Sequence, residues 1–365
     1  MERAVSYIQS YKRKVITVEN ILNKRNLPAF MSEDEMLEIL LREEYGYMPP
    51  APQSVKFEIY EKGVRERFSC FCAGKAYYDK VNITSVVNGK EFTFPISVIT
   101  PTKEGKYPFF VNINFSPDVP DKYLPIEEII DNGFAVLSFC NRDVTADDKD
   151  FTNGLAGVLF PDGKRGPHDS GKIAMWAWAM QRVMDYAQTL DVLDKDCAVA
   201  CGHSRLGKTA LLCVATDKRF KFVYSNDSGC CGAAITRDKV GEGLDFITDT
   251  FSQWFCEDFK KYVGKEHEMP FDQHYLAALC YPANLLIGSA YEDEWADPTS
   301  EMLCAVSAGK YYESKGKKGL VYDGNIAKPG DKFLEGNVGY HVREGLHYFS
   351  REDWHRLIEF VNIHK

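Results

Sequence analysis

Hydrophobic and polar positions along the chain change rhythm at about residue 100, and that change predicts the architecture. Residues 1–26 read as a polar, partly helical lead-in. Ser32-Glu33-Asp34-Glu35 has the form of a capping box, for a helix that runs to about Tyr45 and stops at Gly46 and Pro49-Pro50. From Ser54 to Thr100 apolar and polar residues alternate, as in Val55-Lys56-Phe57-Glu58-Ile59-Tyr60. Asn88-Gly89 marks a hairpin, so this stretch predicts antiparallel strands at a sheet edge. Beyond it the runs turn uniformly apolar and are separated by helical segments. Strands are expected at Tyr107–Phe115, Phe134–Cys140, Cys197–Cys201, Phe220–Ser225, Asn284–Ser289 and Leu320–Tyr322. Helices are expected at Ile126–Asn132, Lys172–Leu190, Thr209–Thr216 and from a Ser350 cap to about His364.

Strands alternating with helices imply an α/β fold with a mostly parallel, doubly wound sheet and antiparallel N-terminal strands. Thr236–Pro270 lacks a clear strand and reads as a helical insertion over the carboxyl edge of the sheet, where such sheets bind ligands. The expected organisation is a helical lead-in over residues 1–50, packed on a single domain over 51–365, with the insertion near 236–270. The length of 365 residues and 45% hydrophobic content suffice for one large core.

Composition narrows the partners. A net charge of −9, without long Lys/Arg runs, argues against nucleic acid and anionic membranes. No run reaches the roughly 18 apolar residues of a membrane span. The N-terminus lacks the apolar core of a secretory leader, so the expected compartment is the cytoplasm, unless a leader has been removed. The chain has eleven cysteines, an odd number, and several sit in apolar runs (Cys140, Cys197, Cys201, Cys213, Cys280), as reduced core residues do. Cys70-x-Cys72 and the vicinal Cys230-Cys231 lack a second pair at ligand spacing, so no metal site is expected.

The chemistry concentrates in Gly202-His203-Ser204-Arg205-Leu206-Gly207-Lys208, between an apolar strand and a helix. Such a strand–turn–helix can hold a serine on a strained bend, with the free N–H groups of the new helix facing whatever approaches the hydroxyl. The spacing departs from G-x-S-x-G, because Leu206 takes the place of the second glycine and Gly207 follows one position later. The competing reading makes Ser204 an ordinary helix N-cap. The backbone N–H of Arg205 can form half of an oxyanion hole and its guanidinium can add charge there. The alternative leaves Arg205 and Lys208 as solvated cations at a helix start, which the helix dipole disfavours.

A serine nucleophile needs a base and a carboxylate to orient that base. Among eight histidines His347 fits best, in a glycine-flanked stretch between the last expected strand and the final helix. His341 competes locally. His203 is expected to point away from the bend and bond locally, His274 to be structural, and His364 to be solvated. Two aspartates are candidates for the acid: Asp293, after Asn284–Ser289, and Asp227, after Phe220–Ser225.

With these residues in hand, the chain resembles the glucuronoyl esterases, carbohydrate esterase family 15, whose nucleophile motif has the form G-x-S-R-x-G-K. Trp176-Ala177-Trp178, Ser225 to Gly232, Pro270 to His274, Trp295-Ala296-Asp297-Pro298 and the closing His341 to His347 segment also look like bacterial members. The resemblance covers about residues 50–365. It implies an α/β-hydrolase three-layer sandwich that cleaves esters on the carboxyl of (4-O-methyl-)glucuronate in xylan-derived saccharides, with no cofactor. Ser204 becomes the nucleophile, His347 the base and Arg205 the oxyanion helper. Lys208, Glu242 and Trp295 match positions that contact the uronate. Members of the family use either acid position; at 227 many have Glu, and Asp is one methylene shorter, so Asp293 is favoured and Asp227 is the alternative. The rival functions are an acetyl (xylan) esterase or other carbohydrate-ester hydrolase, and a non-catalytic sugar-binding protein of the same fold.

Overall fold

The computed structural model describes residues 17–63 and 72–365; Cys70 and residues 1–16 of the expected lead-in lie outside them. Among the described residues one sheet of ten strands, numbered along the chain, runs in the order β1-β2-β3-β5-β4-β6-β7-β8-β10-β9. The alternating N-terminal text becomes β1 (Ser54–Glu61), β2 (Ala76–Val87) and β3 (Lys90–Pro101), all antiparallel. Asn88 and Gly89 both take positive φ (52° and 73°) in the two-residue β2–β3 turn, as this tight hairpin requires.

The apolar runs become the parallel centre. These strands are β4 (Tyr107–Asn114), β5 (Ala135–Cys140), β6 (Leu193–His203), β7 (Phe222–Asn226), β8 (Asn284–Ala290) and β10 (Val338–Arg343). The two-residue β9 (Lys332–Phe333) pairs antiparallel with β10. β5 and β6 lie on opposite sides of β4, so the strand order reverses there and opens a crevice at the carboxyl ends.

Side chains leave each strand alternately, so each central strand feeds two cores. Val111 and Ala200 pack with Trp176 and Trp178 of the helix Lys172–Gln188 and with Leu211 of the helix Arg205–Thr216. Phe110, Val199 and Tyr224 face the other way, toward the helices Ile126–Asp131 and Arg351–His364. There the Trp354 ring meets Phe110 edge-on, with centroids 5.3 Å apart. The result is a three-layer α/β-hydrolase sandwich.

The described part of the lead-in is tied by buried polar groups to the segments that flank the insertion. The Ser32–Glu35 capping box forms and opens the helix Glu33–Leu40, which continues through a wide turn to Tyr45. The Tyr45 hydroxyl donates to the Cys231 carbonyl at 2.8 Å, and Gln273 donates to both Glu44 oxygens at 3.0 Å. Residues 236–270 contain the helix Leu244–Thr250 and short 3-10 turns.

One expected strand does not form. Leu320–Tyr322 is irregular, and the last parallel strand is Val338–Arg343, in a segment read as a tight loop. The two glycines in 339–345 hid a period-two pattern, Val338, Tyr340 and Val342, that only pairing with β8 reveals. His341 therefore lies inside the sheet. It is buried beside the Tyr224 hydroxyl at 2.9 Å, and burial pushes its imidazole down to about 3.

Candidate active site

β6 ends at His203 and the helix Arg205–Thr216 begins two residues later, which leaves Ser204 alone to turn the chain. Its φ of 59° and ψ of −130° are strained for a residue with a side chain, at roughly 1–3 kcal/mol. Its hydroxyl makes no cap hydrogen bond, so the N-cap reading fails. The backbone holds the bend instead: the Ser204 N–H donates to the Asn226 carbonyl at 2.8 Å, and its own carbonyl accepts from Gly207 at 2.8 Å. A Cβ on Gly202 would sit 2.2 Å from the Leu206 carbonyl oxygen. One on Gly207 would press Ser225 Oγ and Ser228 Cβ, each at 3.0 Å. The second glycine thus belongs where the helix crosses the loop after β7, which accounts for the shifted spacing.

The imidazole arrives on the loop after β10. His347 Nδ1 lies 2.6 Å from Oδ2 of Asp293, a buried carboxylate on the loop after β8. That contact turns Nε2 outward. Asp227, fully buried after β7, spends Oδ1 on the Ala290 N–H at 2.6 Å, while Oδ2 lies 3.4 Å from Arg343 Nη2. Burial pushes the Asp227 carboxyl well up, and the charges of Asp353 and Glu301 add to the shift while Arg343 opposes it. Donor atoms of Asp227, Asp293 and His347 all lie within 4.8 Å of one another, so both acids approach the ring but one holds it.

A cavity of about 290 Å³ is lined by Ser204, Arg205, Lys208, Asp227, Glu242, Asp293, Trp295 and His347. Every site residue singled out from sequence therefore meets in one chamber. Lys208 is buried and donates to the Ser228 carbonyl, and its ammonium lies 5.8 Å from the Trp254 ring centre. Glu242 is buried as well and lines the same chamber. Trp295 is half exposed and braced edge-on by Phe246 at 5.0 Å.

Arg205 is not a solvated cation. Its guanidinium lies 5.1 Å from the Phe115 ring centre and 5.0 Å from that of Trp254, and bonds Asp147 at 3.0 Å. Trp254 Nε1 donates to the same Asp147 at 2.7 Å, which fixes the cage. Arg205 Nε is buried without a hydrogen-bond partner among the described residues.

A second cavity, of about 510 Å³, shares Ser204, Arg205 and His347 with the first and is walled by Phe115, Asp121, Lys122, Tyr123 and His203. His203 therefore lines the site and does not point away from it. Its Nδ1 bonds Asn226 Oδ1 at 2.7 Å, its ring centre lies 4.5 Å from that of His347, and burial holds its imidazole well below the usual range. His274 bonds the Pro28 carbonyl at 3.0 Å far from Ser204, as a structural role requires. His364 bonds the Leu334 carbonyl at 2.8 Å, so it is tethered where solvation was expected. Sequence reasoning missed Asp147, Trp254, Arg343 and Glu301. Only the position of Asp147, just past the carboxyl end of β5, carried a signal.

The strand order, the two-sided helical cover and the strained turn define this protein as an α/β-hydrolase. The family described as glucuronyl esterase, fungi, matches residues 83–316, and the chain belongs to the glucuronoyl esterase family. Carbohydrate esterase MZ0003, from an unknown prokaryotic organism, is 39% identical over 241 residues, covering 66% of this chain and 55% of that protein. The 4-O-methyl-glucuronoyl methylesterase of Podospora anserina is 26% identical over 294 residues, covering 77% and 55%. The chain thus spans about half the length of these curated relatives. A promiscuous CE15 esterase from a marine bacterial metagenome superposes with a TM-score of 0.81 at 30% identity, over 91% of each chain. The glucuronoyl esterase from Solibacter usitatus gives 0.81 at 26% identity, over 93% of this chain and 99% of that one.

Proposed function

We propose that the protein hydrolyses esters of the carboxyl group of (4-O-methyl-)glucuronate on xylan-derived saccharides, through a Ser204–His347–Asp293 triad and an acyl-enzyme. The observation that carries the reading is the 2.6 Å His347–Asp293 contact beside a strained, uncapped Ser204. With Nδ1 committed to Asp293, His347 Nε2 accepts the Ser204 proton as Oγ attacks the ester carbon. The oxyanion that forms is met by the Arg205 backbone N–H and by the idle Arg205 Nε–H. His347 passes the proton to the departing alcohol oxygen, leaving an ester between Ser204 Oγ and the uronate. Water attacks that ester as Nε2 takes its proton, and collapse returns the proton to Ser204 and frees the acid.

The uronate ring belongs in the 290 Å³ chamber, where Trp295 offers a face and Lys208 and Glu242 offer polar groups to its hydroxyls. The alcohol then extends into the adjoining 510 Å³ cavity, which shares Ser204 and His347. An ester carboxyl is neutral, so the surrounding acids do not repel the substrate; the product carboxylate is anionic and they hasten its release.

The test compares methyl 4-O-methyl-glucuronate with p-nitrophenyl acetate on the purified protein and on Ser204→Ala. Turnover of the uronate ester that vanishes in the variant is expected. Strong acetate turnover with none of the uronate ester would favour the acetyl esterase, and turnover surviving in the variant would overturn the nucleophile. Binding of uronate oligosaccharide without hydrolysis would mark a sugar-binding protein.

A further inference from the structure

The side chains after His347 anchor its loop, Tyr348 through its hydroxyl to the Lys122 carbonyl at 2.8 Å and Phe349 stacked on Trp354 at 4.7 Å, but those at 346 and 347 do not. Leu346 is 67% exposed, and the His347 side chain is 44% exposed with its one hydrogen bond going to Asp293. The backbone around His347 is gripped by Arg343, the last residue of β10 and only 4% exposed. Its Nη2 donates to the Leu346 carbonyl at 3.2 Å and to the Tyr348 carbonyl, the two carbonyls that flank His347. Nη1 donates to the Glu344 carbonyl at 2.9 Å. Nε donates to Asp353 Oδ2 at 2.8 Å, and that oxygen also accepts the Ser350 N–H that caps the last helix. Nη2 further reaches Asp227 Oδ2 at 3.4 Å, while Asp227 Oδ1 takes the Ala290 N–H.

A buried guanidinium is tolerated only when its donors are matched, and its planar fork lets it serve several acceptors at once. Here the acceptors are two carboxylates and three carbonyls of one short loop. The same loop is zipped to the one that carries Asp293, through Tyr291 N–H to the Arg343 carbonyl at 2.8 Å and Glu292 N–H to the Gly345 carbonyl at 3.1 Å.

We propose that Arg343 is a positioning residue for hydrolysis, which clasps the carbonyls on either side of His347 and occupies Asp227, so that the imidazole is presented to Asp293 and no other acid. This rests on the triad of the proposed function, though not on the identity of the sugar. Arg343 touches no substrate; it acts through the loop it grips and through the acid it withholds. A lysine keeps the positive charge opposite Asp227 and Asp353, yet one ammonium cannot span both flanking carbonyls and Asp353 together.

The test uses Arg343→Lys and Arg343→Gln in the full chain, normalised by titrating reactive serine with a fluorophosphonate. With p-nitrophenyl acetate as probe, kcat is expected to fall about tenfold or more in both variants, with KM within about twofold. A substrate-free signature accompanies it: the downfield proton resonance of the His347 Nδ1–H shared with Asp293, assigned by its loss in Asp293→Asn, is present in the wild type and lost or broadened in Arg343→Lys. A purely structural role lowers the melting temperature and leaves both the normalised kcat and the resonance intact, and that result would overturn the proposal. If Arg343→Gln does not fold, Arg343→Lys decides. Failure on uronate esters with intact acetate turnover would strike the substrate reading and leave this one standing.

Discussion

Asp293→Asn is the sharpest test of the site, because two buried acids lie near one imidazole and only one bonds it. As His347 accepts the serine proton it gains a charge whose partner is the Asp293 oxygen at 2.6 Å. A unit charge pair about 4 Å apart at an effective dielectric near 20 attracts by about 4 kcal/mol. An amide keeps part of that as a dipole, and an imidazole 44% exposed is screened by water, so a net loss of about 2–3 kcal/mol is expected. At 1.36 kcal/mol per decade this is a fall in kcat of about 30–150-fold. Asp227→Asn works against a different background. Burial already pushes that carboxyl up, its oxygen at Ala290 survives as an amide oxygen, and Arg343 stands beside it, so a loss of about 3–10-fold is expected. The assay is steady-state hydrolysis of methyl 4-O-methyl-glucuronate by both variants at saturating substrate, with melting temperatures as the folding control. A larger kcat loss in Asp227→Asn than in Asp293→Asn refutes the assignment of the acid.

Arg205→Lys removes the idle Nε donor and leaves a side chain that does not fit between the Phe115 and Trp254 rings. A kcat loss of about 100-fold with little change in KM is expected, and a loss under threefold in steady-state assays would remove Arg205 from the oxyanion role. Trp295→Ala strips a stacking face that contributes about 0.5–1.5 kcal/mol, so KM for the uronate ester should rise up to about tenfold while p-nitrophenyl acetate kinetics hold. Equal effects on both substrates would place the sugar elsewhere. Burial pushes Glu44 up to about 8 from an ordinary 4.5. Between those values the folded chain binds a proton that the unfolded chain has released, so stability falls as pH rises through this window, by about 1.4 kcal/mol per pH unit. Glu44→Gln removes that slope and should narrow the stability difference between pH 5 and pH 8 by about 2–4 kcal/mol in urea titrations. Parallel pH curves for variant and wild type would show that Glu44 carries no such strain.

What was legible in the sequence was local. The capping boxes at Ser32 and Ser350, the Asn88-Gly89 turn and the passage from β6 through Ser204 into a helix each depend on residues within a few positions of one another. Hydrophobic periodicity likewise reports which face of a segment is buried, which is why the parallel centre was foreseen from apolar runs alone. The meeting of Ser204, Asp227, Asp293 and His347 in one chamber also follows from strand order, since each lies just past the carboxyl end of a parallel strand.

The tertiary structure decided everything that depends on partners distant in sequence. Val338–Arg343 is a strand because β8 offers it a ladder, while Leu320–Tyr322, with an equally apolar sequence, finds none. Arg205 is a caged donor because Asp147, Phe115 and Trp254 converge on it from separate segments. The contest between Asp227 and Asp293 could not be settled by spacing, because both follow strands. In the folded chain His347 meets Asp293 at 2.6 Å, while Asp227 faces the Ala290 N–H and the guanidinium at the end of β10. Sequence proximity sets conformational preference, but pairing of buried charges is fixed only when the folded chain removes water from around them.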